Sequence, residues 1–153
     1  MAISIHFINT RGIYHRDLKP ENFLITKSNG NKVYLHMHDF GIARALESSV
    51  RHVTTDSGIV KGSTHYCSPE QLRGTSGQCL EKIDTWAMGV IAYQLVARKF
   101  PFDGYLSAHV IYAITMTQAE PLTDEKYPGY SHQLRNLIMS LLSRNHMERP
   151  SIE

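Results

Sequence analysis

The most apolar stretch of the chain runs over residues 86–97 and predicts a helix that is buried on most of its surface. Charged residues bound it, with Asp84 before it and Arg98 and Lys99 after it. A helix that crosses a bilayer needs roughly 20 apolar residues, and this stretch is shorter. We therefore predict a core helix over residues 83–96 and no membrane partner.

Two further segments, residues 107–116 and 131–142, place apolar residues at helical spacing. In the second segment, Ser131 is the predicted N-cap. A helix is also predicted to end over residues 3–10, closed by Gly12. The stripe expected to face the core in the last segment consists of Leu134, Leu137, Ile138, Leu141 and Leu142.

Two short apolar runs, residues 23–26 and 32–37, flank the tetrapeptide Ser28-Asn29-Gly30-Asn31 and predict a β-hairpin. Residues 41–77 show little periodicity, which predicts a long loop, and loops of that length are usually functional or disordered. The expected fold class is mainly α with a short β-hairpin.

Composition narrows the possible functions without choosing one. The chain has 153 residues, 42% hydrophobic and 20% charged, which fits one ordinary globular domain. A net charge of +2 without a basic run argues against a nucleic-acid partner. No secretory signal is evident at the N-terminus. Two cysteines are too few for a disulfide scaffold, so we expect a cytoplasmic or other intracellular location.

The segment most informative about chemistry is His-Arg-Asp-Leu-Lys-Pro-Glu-Asn, residues 15–22. In a near-extended loop, Asp17 and Lys19 share one side, so a base and a positive charge can address the same volume. Asn22 offers an amide oxygen, and Asp39, which follows the second predicted strand, offers a carboxylate. Both groups are suitable ligands for a hard cation such as Mg²⁺. These are the parts that phosphoryl transfer needs. The alternative interpretation is a solvated turn of mixed charge.

Several motifs in order resemble the eukaryotic protein kinases of the Ser/Thr type. After residues 15–22 come Asp-Phe-Gly at 39–41, Ser-Pro-Glu at 68–70 and an Asp-x-Trp-x-x-Gly pattern at 84–89. Arg149 stands before Pro150, and the resemblance covers essentially residues 5–151. It implies the helical C-terminal lobe of a kinase domain, over residues 1–153, and a function in phosphorylating protein Ser or Thr hydroxyls with ATP and Mg²⁺.

The resemblance also implies roles for individual residues. Asp17 would be the catalytic base, Asn22 and Asp39 would be Mg²⁺ ligands, and Leu24 would lie under the adenine. Lys19 would contact the transferring phosphoryl group, and its presence is typical of kinases that act on Ser and Thr.

Structural roles follow from the same likeness. His15 and Phe40 would stack in a regulatory spine, and Asp84 would belong to the long buried helix. Glu70 and Arg149 would form an ion pair that holds the activation segment to the helical body.

Regulation is implied by a further set of residues. Arg16 and Arg44 would receive a phosphate on the activation segment, added by an upstream kinase. The candidate acceptors Thr54, Thr55 and Ser57 are not distinguished, and each could be an ordinary loop residue. Ser63 would contact the catalytic Asp and Lys.

The 153 residues contain no glycine-rich G-x-G-x-x-G loop and no strand lysine in a V-A-I-K setting. We therefore expect the N-terminal β lobe to be absent from this chain. Two functional classes follow: a lobe of an active Ser/Thr kinase, or a truncated, catalytically silent lobe that serves as a protein-interaction module.

Overall fold

The computed structural model describes residues 1–27, 32–38, 62–74 and 80–152. Helices dominate these residues and one antiparallel two-stranded sheet accompanies them, which confirms the predicted fold class. The α-helices are α1 (Ala2–Asn9), α2 (Pro69–Leu72), α3 (Leu80–Ala97), α4 (Ser107–Met116) and α5 (His132–Leu141). The strands are β1 (Phe23–Lys27) and β2 (Val33–Met37), and single 3₁₀ turns cover Pro20–Asn22, Gly62–Tyr66 and His146–Glu148.

The central element is α3, whose apolar sequence is buried from Ile83 through Ile91. It begins three residues earlier than the sequence predicted, at Leu80, and Glu81 in its first turn complements the helix dipole. Trp86 is fully buried and stacks on Phe102, with ring centroids 5.5 Å apart. This helix supplies one wall of the hydrophobic core and carries Asp84 toward the candidate site.

Helix α5 packs closely on α3 at Gly89. A Cβ atom placed on Gly89 would lie 2.8 Å from Cβ of Leu141, so only glycine allows this approach. Ser131 caps α5 as predicted, since its side chain accepts a hydrogen bond from the backbone N–H of Leu134. Ile138 and Leu142 complete the buried side of this contact.

The predicted apolar stripe of α5 is wrong at two positions. Leu134 and Leu137 are 39% and 48% exposed, whereas Arg135 is only 2% exposed. Burial of this cation is possible because its guanidinium donates to the carbonyl oxygens of Tyr127 and Tyr130 and pairs with Asp124. Hydrophobic periodicity alone could not show that these polar partners would draw Arg135 inward.

The two strands pair antiparallel as predicted, with Phe23 opposite Met37 and Leu24 opposite His36. The Ser28–Asn31 turn lies outside the described residues. Most apolar side chains of the hairpin face solvent; Ile25 and Val33, for example, are 67% and 62% exposed.

The long loop predicted over residues 41–77 is wrong for its last part. Gly62–Tyr66 forms a 3₁₀ turn and α2 follows at Pro69–Leu72. The reason is local: Ser68 and Gln71 form a reciprocal capping box, and Pro69 occupies the first helical position. Four residues were too few to produce a visible helical period.

Candidate active site

The loop that carries the predicted chemistry is held in place by Asp84 of α3. The backbone N–H of His15 donates to Oδ2 of Asp84 at 2.9 Å, and that of Arg16 donates to Oδ1 at 2.7 Å. Arg16 has φ = 66°, a left-handed conformation that costs a non-glycine residue about 1–3 kcal/mol. Hydrogen bonds to a charged partner contribute about 1.5–3 kcal/mol each, so the two bonds to Asp84 are sufficient to maintain this backbone.

Asp84 itself is completely buried. Burial raises the pKa of its carboxyl group, while the backbone hydrogen bonds from Arg16 and His15 and the electrostatic effect of these two residues act in the opposite direction. A buried carboxylate is stable only where such partners replace water. The backbone N–H groups of the 15–22 loop therefore need the Asp84 carboxylate as their acceptor, and the buried carboxylate needs these N–H groups as its donors.

Leu18 anchors the loop between the two residues predicted to act on substrate. Leu18 is 1% exposed and packs with Ile5 of α1 and Ala87 and Met88 of α3. This burial directs its neighbours outward: the side chains of Asp17 and Lys19 are each 25% exposed. Nζ of Lys19 lies 3.3 Å from Oδ2 of Asp17. The structure thus brings a carboxylate and an ammonium group together at an accessible position.

Asn22 stands at the other end of this loop and is 3% exposed. Its side-chain Oδ1 accepts a hydrogen bond from the backbone N–H of Lys19 at 3.1 Å. The backbone N–H of Asn22 donates to the carbonyl oxygen of Lys19 at 3.0 Å. An amide oxygen has two lone pairs, so one remains for a cation. The backbone N–H of His38 donates to the carbonyl of Asn22 at 2.9 Å, which joins the end of β2 to the loop.

Gln71 is a positioning residue that sequence reasoning missed. Its Nε2 donates to the carbonyl oxygen of Arg16 at 2.9 Å, while its Oε1 accepts the backbone N–H of Ser68 at 2.9 Å. The side chain therefore ties α2 to the 15–22 loop next to Asp17. The Ser-x-x-Gln spacing that marks a capping box was the signal that could have singled it out.

Glu70 and Arg149 form a bidentate ion pair, with N–O distances of 2.6 and 2.8 Å. Both residues are buried, at 4% and 2% exposure. Arg149 also donates to the carbonyls of Ser143 and Lys82, and its guanidinium lies 4.8 Å from the ring centroid of Trp86. The pair fixes α2 to the region after α5 and to the core.

Cys67 lies beside the loop, in a small cavity that Asp17 and Gln71 also line. Burial, with a smaller contribution from the negative charge of Asp17, raises the pKa of the Cys67 thiol to about 12. Because the thiolate is the nucleophilic form, this thiol is unreactive at neutral pH.

The remaining predicted residues differ in how much of them the structure describes. His15 is 3% exposed at the back of the loop, and Leu24 is 55% exposed on β1. Ser63 belongs to the Gly62–Tyr66 turn, but its side chain lies outside the described part of the structure. Also outside the described residues are Asp39, Phe40, Arg44, Thr54, Thr55 and Ser57.

Metal-binding clusters and membrane-spanning helices are both absent from the described residues. No group of three or more His, Cys, Asp or Glu side chains is arranged to hold a metal ion. None of the helices in these ranges combines the length and apolar character needed to cross a membrane.

A sequence profile described as "Protein kinase domain" matches residues 1–153. The chain belongs to the protein kinase family. Serine/threonine-protein kinase Pkn1 of Myxococcus xanthus is 35% identical over 144 residues, which cover 92% of this chain and 20% of Pkn1. Serine/threonine-protein kinase PrkC of Bacillus subtilis (strain 168) is 36% identical over 138 residues, 90% of this chain and 20% of PrkC.

A human member of the family shows a similar likeness. Serine/threonine-protein kinase Nek5 of Homo sapiens is 31% identical over 152 residues, 99% of this chain and 20% of Nek5. The kinase-family chain thus spans about a fifth of the length of these relatives.

Proposed function

We propose that this chain carries the catalytic loop of a protein kinase that transfers phosphoryl groups from ATP to Ser or Thr hydroxyls of proteins. The observation that carries the proposal is the pairing of Asp17 and Lys19, 3.3 Å apart and both accessible, on a loop fixed by Asp84. Asp17 accepts the proton of the substrate hydroxyl, and Lys19 neutralises charge on the phosphoryl group as it is transferred. The Ser/Thr kinases among its relatives support this substrate class.

The residues present fit Mg²⁺ in part. Asn22 offers a buried amide oxygen with one lone pair remaining, a donor that hard cations accept. We infer that Asp39 is the second protein ligand; support comes from His38, the preceding residue, whose N–H is bonded to the carbonyl of Asn22. When bound, Mg²⁺ would neutralise charge on the phosphate oxygens of ATP. Leu24, exposed on β1, offers an apolar surface that suits the adenine.

Regulation by phosphorylation is a further part of the proposal. Nε of Arg16 is buried and has no hydrogen-bond partner among the described residues, so it suits a phosphate on the activation segment. Arg44 would be the second cation, and Thr54, Thr55 and Ser57 are the candidate acceptors for an upstream kinase. The ion pair of Glu70 and Arg149 would hold the end of that segment to the helical body.

The test uses the purified gene product that contains residues 1–153, incubated with Mg-ATP and casein. We expect phosphate incorporation on Ser and Thr, loss of incorporation when EDTA removes Mg²⁺, and loss in the variant Asp17→Asn. Incorporation only on Tyr would contradict the substrate class. A protein that binds casein without phosphorylating it would favour the interaction-module alternative.

A further inference from the structure

A polar cavity of about 400 Å³ opens at a place that the catalytic loop does not reach. Its walls come from the end of α2, the chain after α4, and the connection between α5 and the last 3₁₀ turn. The residues that line it are Arg73, Gln118, Ser143, Arg144, Asn145 and Glu148.

Two arginines of this cavity converge on one backbone oxygen. Nη2 of Arg73 donates to the carbonyl of Thr115 at 2.9 Å, and Nη1 of Arg144 donates to the same carbonyl at 3.3 Å. Thr115 lies in the last turn of α4, where carbonyls lack helical partners and attract cations. That carbonyl oxygen has two lone pairs and accepts one N–H from each arginine, so the contact leaves four N–H donors of each guanidinium for another ligand.

Neither arginine forms an ion pair with any residue in the described ranges. The cavity's acidic lining residue, Glu148, already accepts hydrogen bonds from the Ser143 hydroxyl at 2.8 Å and the Asn145 amide at 3.0 Å. These two bonds lower the pKa of Glu148, so its carboxylate is ionised at neutral pH. Two cations against one carboxylate leave the lining with net positive charge.

We propose that the cavity bounded by Arg73 and Arg144 binds a phosphate monoester dianion, presented as a phosphorylated Ser or Thr side chain of a protein. A guanidinium has five N–H donors in a planar fork, and the contacts to Thr115 use one donor from each arginine. Phosphate accepts bidentate bonds from such forks. The volume exceeds that of phosphate alone and leaves room for the side chain that bears it.

This site is separate from the proposed phosphoryl-transfer site, because no residue of the 15–22 loop lines the cavity. The proposal does not depend on catalysis. Binding can therefore be measured without nucleotide, and loss of catalysis by Asp17→Asn would leave it unaffected.

The experiment measures fluorescence anisotropy of a fluorescein-labelled Ala-Ala-phosphoserine-Ala-Ala peptide with the full chain, at low ionic strength and without ATP. Matched peptides carry Ser or Glu in place of phosphoserine. We expect the phosphopeptide to bind at least about tenfold more tightly than either, since the dianion can engage both forks. Equal affinity for the Glu peptide would overturn the assignment to phosphate.

Substitutions of the two lining arginines test whether the phosphopeptide binds in this cavity. Arg73→Gln and Arg144→Gln should each weaken phosphopeptide binding about tenfold, with circular-dichroism melts used to verify folding. Arg11 is an exposed arginine that lies on the ring of Phe7. The variant Arg11→Gln is therefore the charge-matched control and should bind the phosphopeptide as wild type does. If Arg16→Gln abolishes binding while the two cavity variants keep it, the phosphopeptide binds at Arg16, where the phosphate of the activation segment was proposed to bind, and the cavity proposal is wrong.

Inorganic phosphate distinguishes the source of the anion. Displacement of the phosphopeptide by millimolar phosphate supports a shared site. The contrary result is a protein that binds inorganic phosphate but not the phosphopeptide, with Arg73→Gln removing the phosphate binding. That result would show a site for free anions and would overturn the proposal that the ligand is a phosphorylated protein side chain.

Discussion

At the scale of single residues, Arg149 joins several parts of the described structure. It pairs with buried Glu70, donates to three backbone carbonyls and lies over Trp86. Its removal would leave the Glu70 carboxylate buried without its cation. Breaking a buried pair in this way costs about 3–5 kcal/mol.

We therefore predict that Arg149→Ala lowers the free energy of unfolding by about 3–5 kcal/mol, measured by urea denaturation. The double variant Glu70→Gln/Arg149→Ala removes the Glu70 charge together with its cation and should lose less stability than the two single variants together. A loss below about 1 kcal/mol for Arg149→Ala, the value of an exposed pair, would contradict the role assigned to it.

Glu120 provides a pH-dependent test at the surface. Side-chain hydrogen bonds from Lys126 and Lys99 lower the pKa of Glu120 from its ordinary value of 4.5 to about 2. A carboxyl group with a lowered pKa in the folded state stabilises the fold above its unfolded pKa, and this contribution disappears as the pH falls toward the folded pKa.

The melting temperature of Glu120→Gln should accordingly lie below that of wild type at pH 7. The difference should shrink as the pH is lowered from about 4.5 toward 2, and added salt should shrink it at pH 7. A difference that stays constant across this pH range would show that the lysine contacts do not act through charge.

At the scale of elements, the contact of α3 with α5 depends on Gly89. Alanine usually favours a helix over glycine by about 1 kcal/mol, but here its Cβ would lie 2.8 Å from Cβ of Leu141. Overpacking of this kind costs about 1–3 kcal/mol, and a Cβ atom cannot rotate away.

We predict that Gly89→Ala destabilises the fold by about 1–2 kcal/mol in chemical denaturation. Gly129→Ala is the matched control, because no heavy atom lies within 4 Å of its added Cβ; that change should be neutral or slightly stabilising. If Gly89→Ala raises stability as the control does, the two helices are less tightly packed than described.

The elements differ in how well sequence could predict them. Strong periodicity or a continuous apolar run was sufficient for α3, α4 and the hairpin, and Ser131 marked the start of α5. Helix α2 was missed because a single turn has no period. Burial of Arg135 was missed because it depends on carbonyls and a carboxylate brought together by tertiary structure.

The candidate site was predictable from the sequence only where its geometry is local. Alternation along residues 17–19 correctly placed Asp17 and Lys19 on one side, since Leu18 between them is buried. The bond from Gln71 to the Arg16 carbonyl joins residues 55 positions apart. A local sequence pattern carries no information about residues so far apart, so this contact could be found only from the folded structure.

At the scale of the whole molecule, the hairpin exposes apolar side chains on both of its faces. Ile25, Val33 and Leu35 share one face by register, and they are 67%, 62% and 40% exposed. Leu24 and Tyr34 expose apolar surface on the other face. A two-stranded sheet with open edges and apolar faces favours pairing with other chains.

The purified 153-residue chain should consequently self-associate, with an apparent mass that rises with concentration in light scattering. The double variant Ile25→Thr/Val33→Thr should reduce this, since it removes apolar surface from one face and keeps β-branched residues in the strands. A concentration-independent monomer with a sharp melt well above about 60 °C, beyond most mesophilic domains, would contradict the expectation.

The central claim is that Asp17 acts as the base of a phosphoryl-transfer site, and the most direct measurement is a single-turnover rate. The gene product that contains this chain is used in excess over labelled ATP, with Mg²⁺ and casein. The variant Asp17→Asn should transfer phosphate about 10²–10⁴ times more slowly than wild type. Glu21→Gln, an exposed carboxylate of the same loop, is the control and should react at nearly the wild-type rate. Equal rates for Asp17→Asn and wild type would contradict the catalytic assignment.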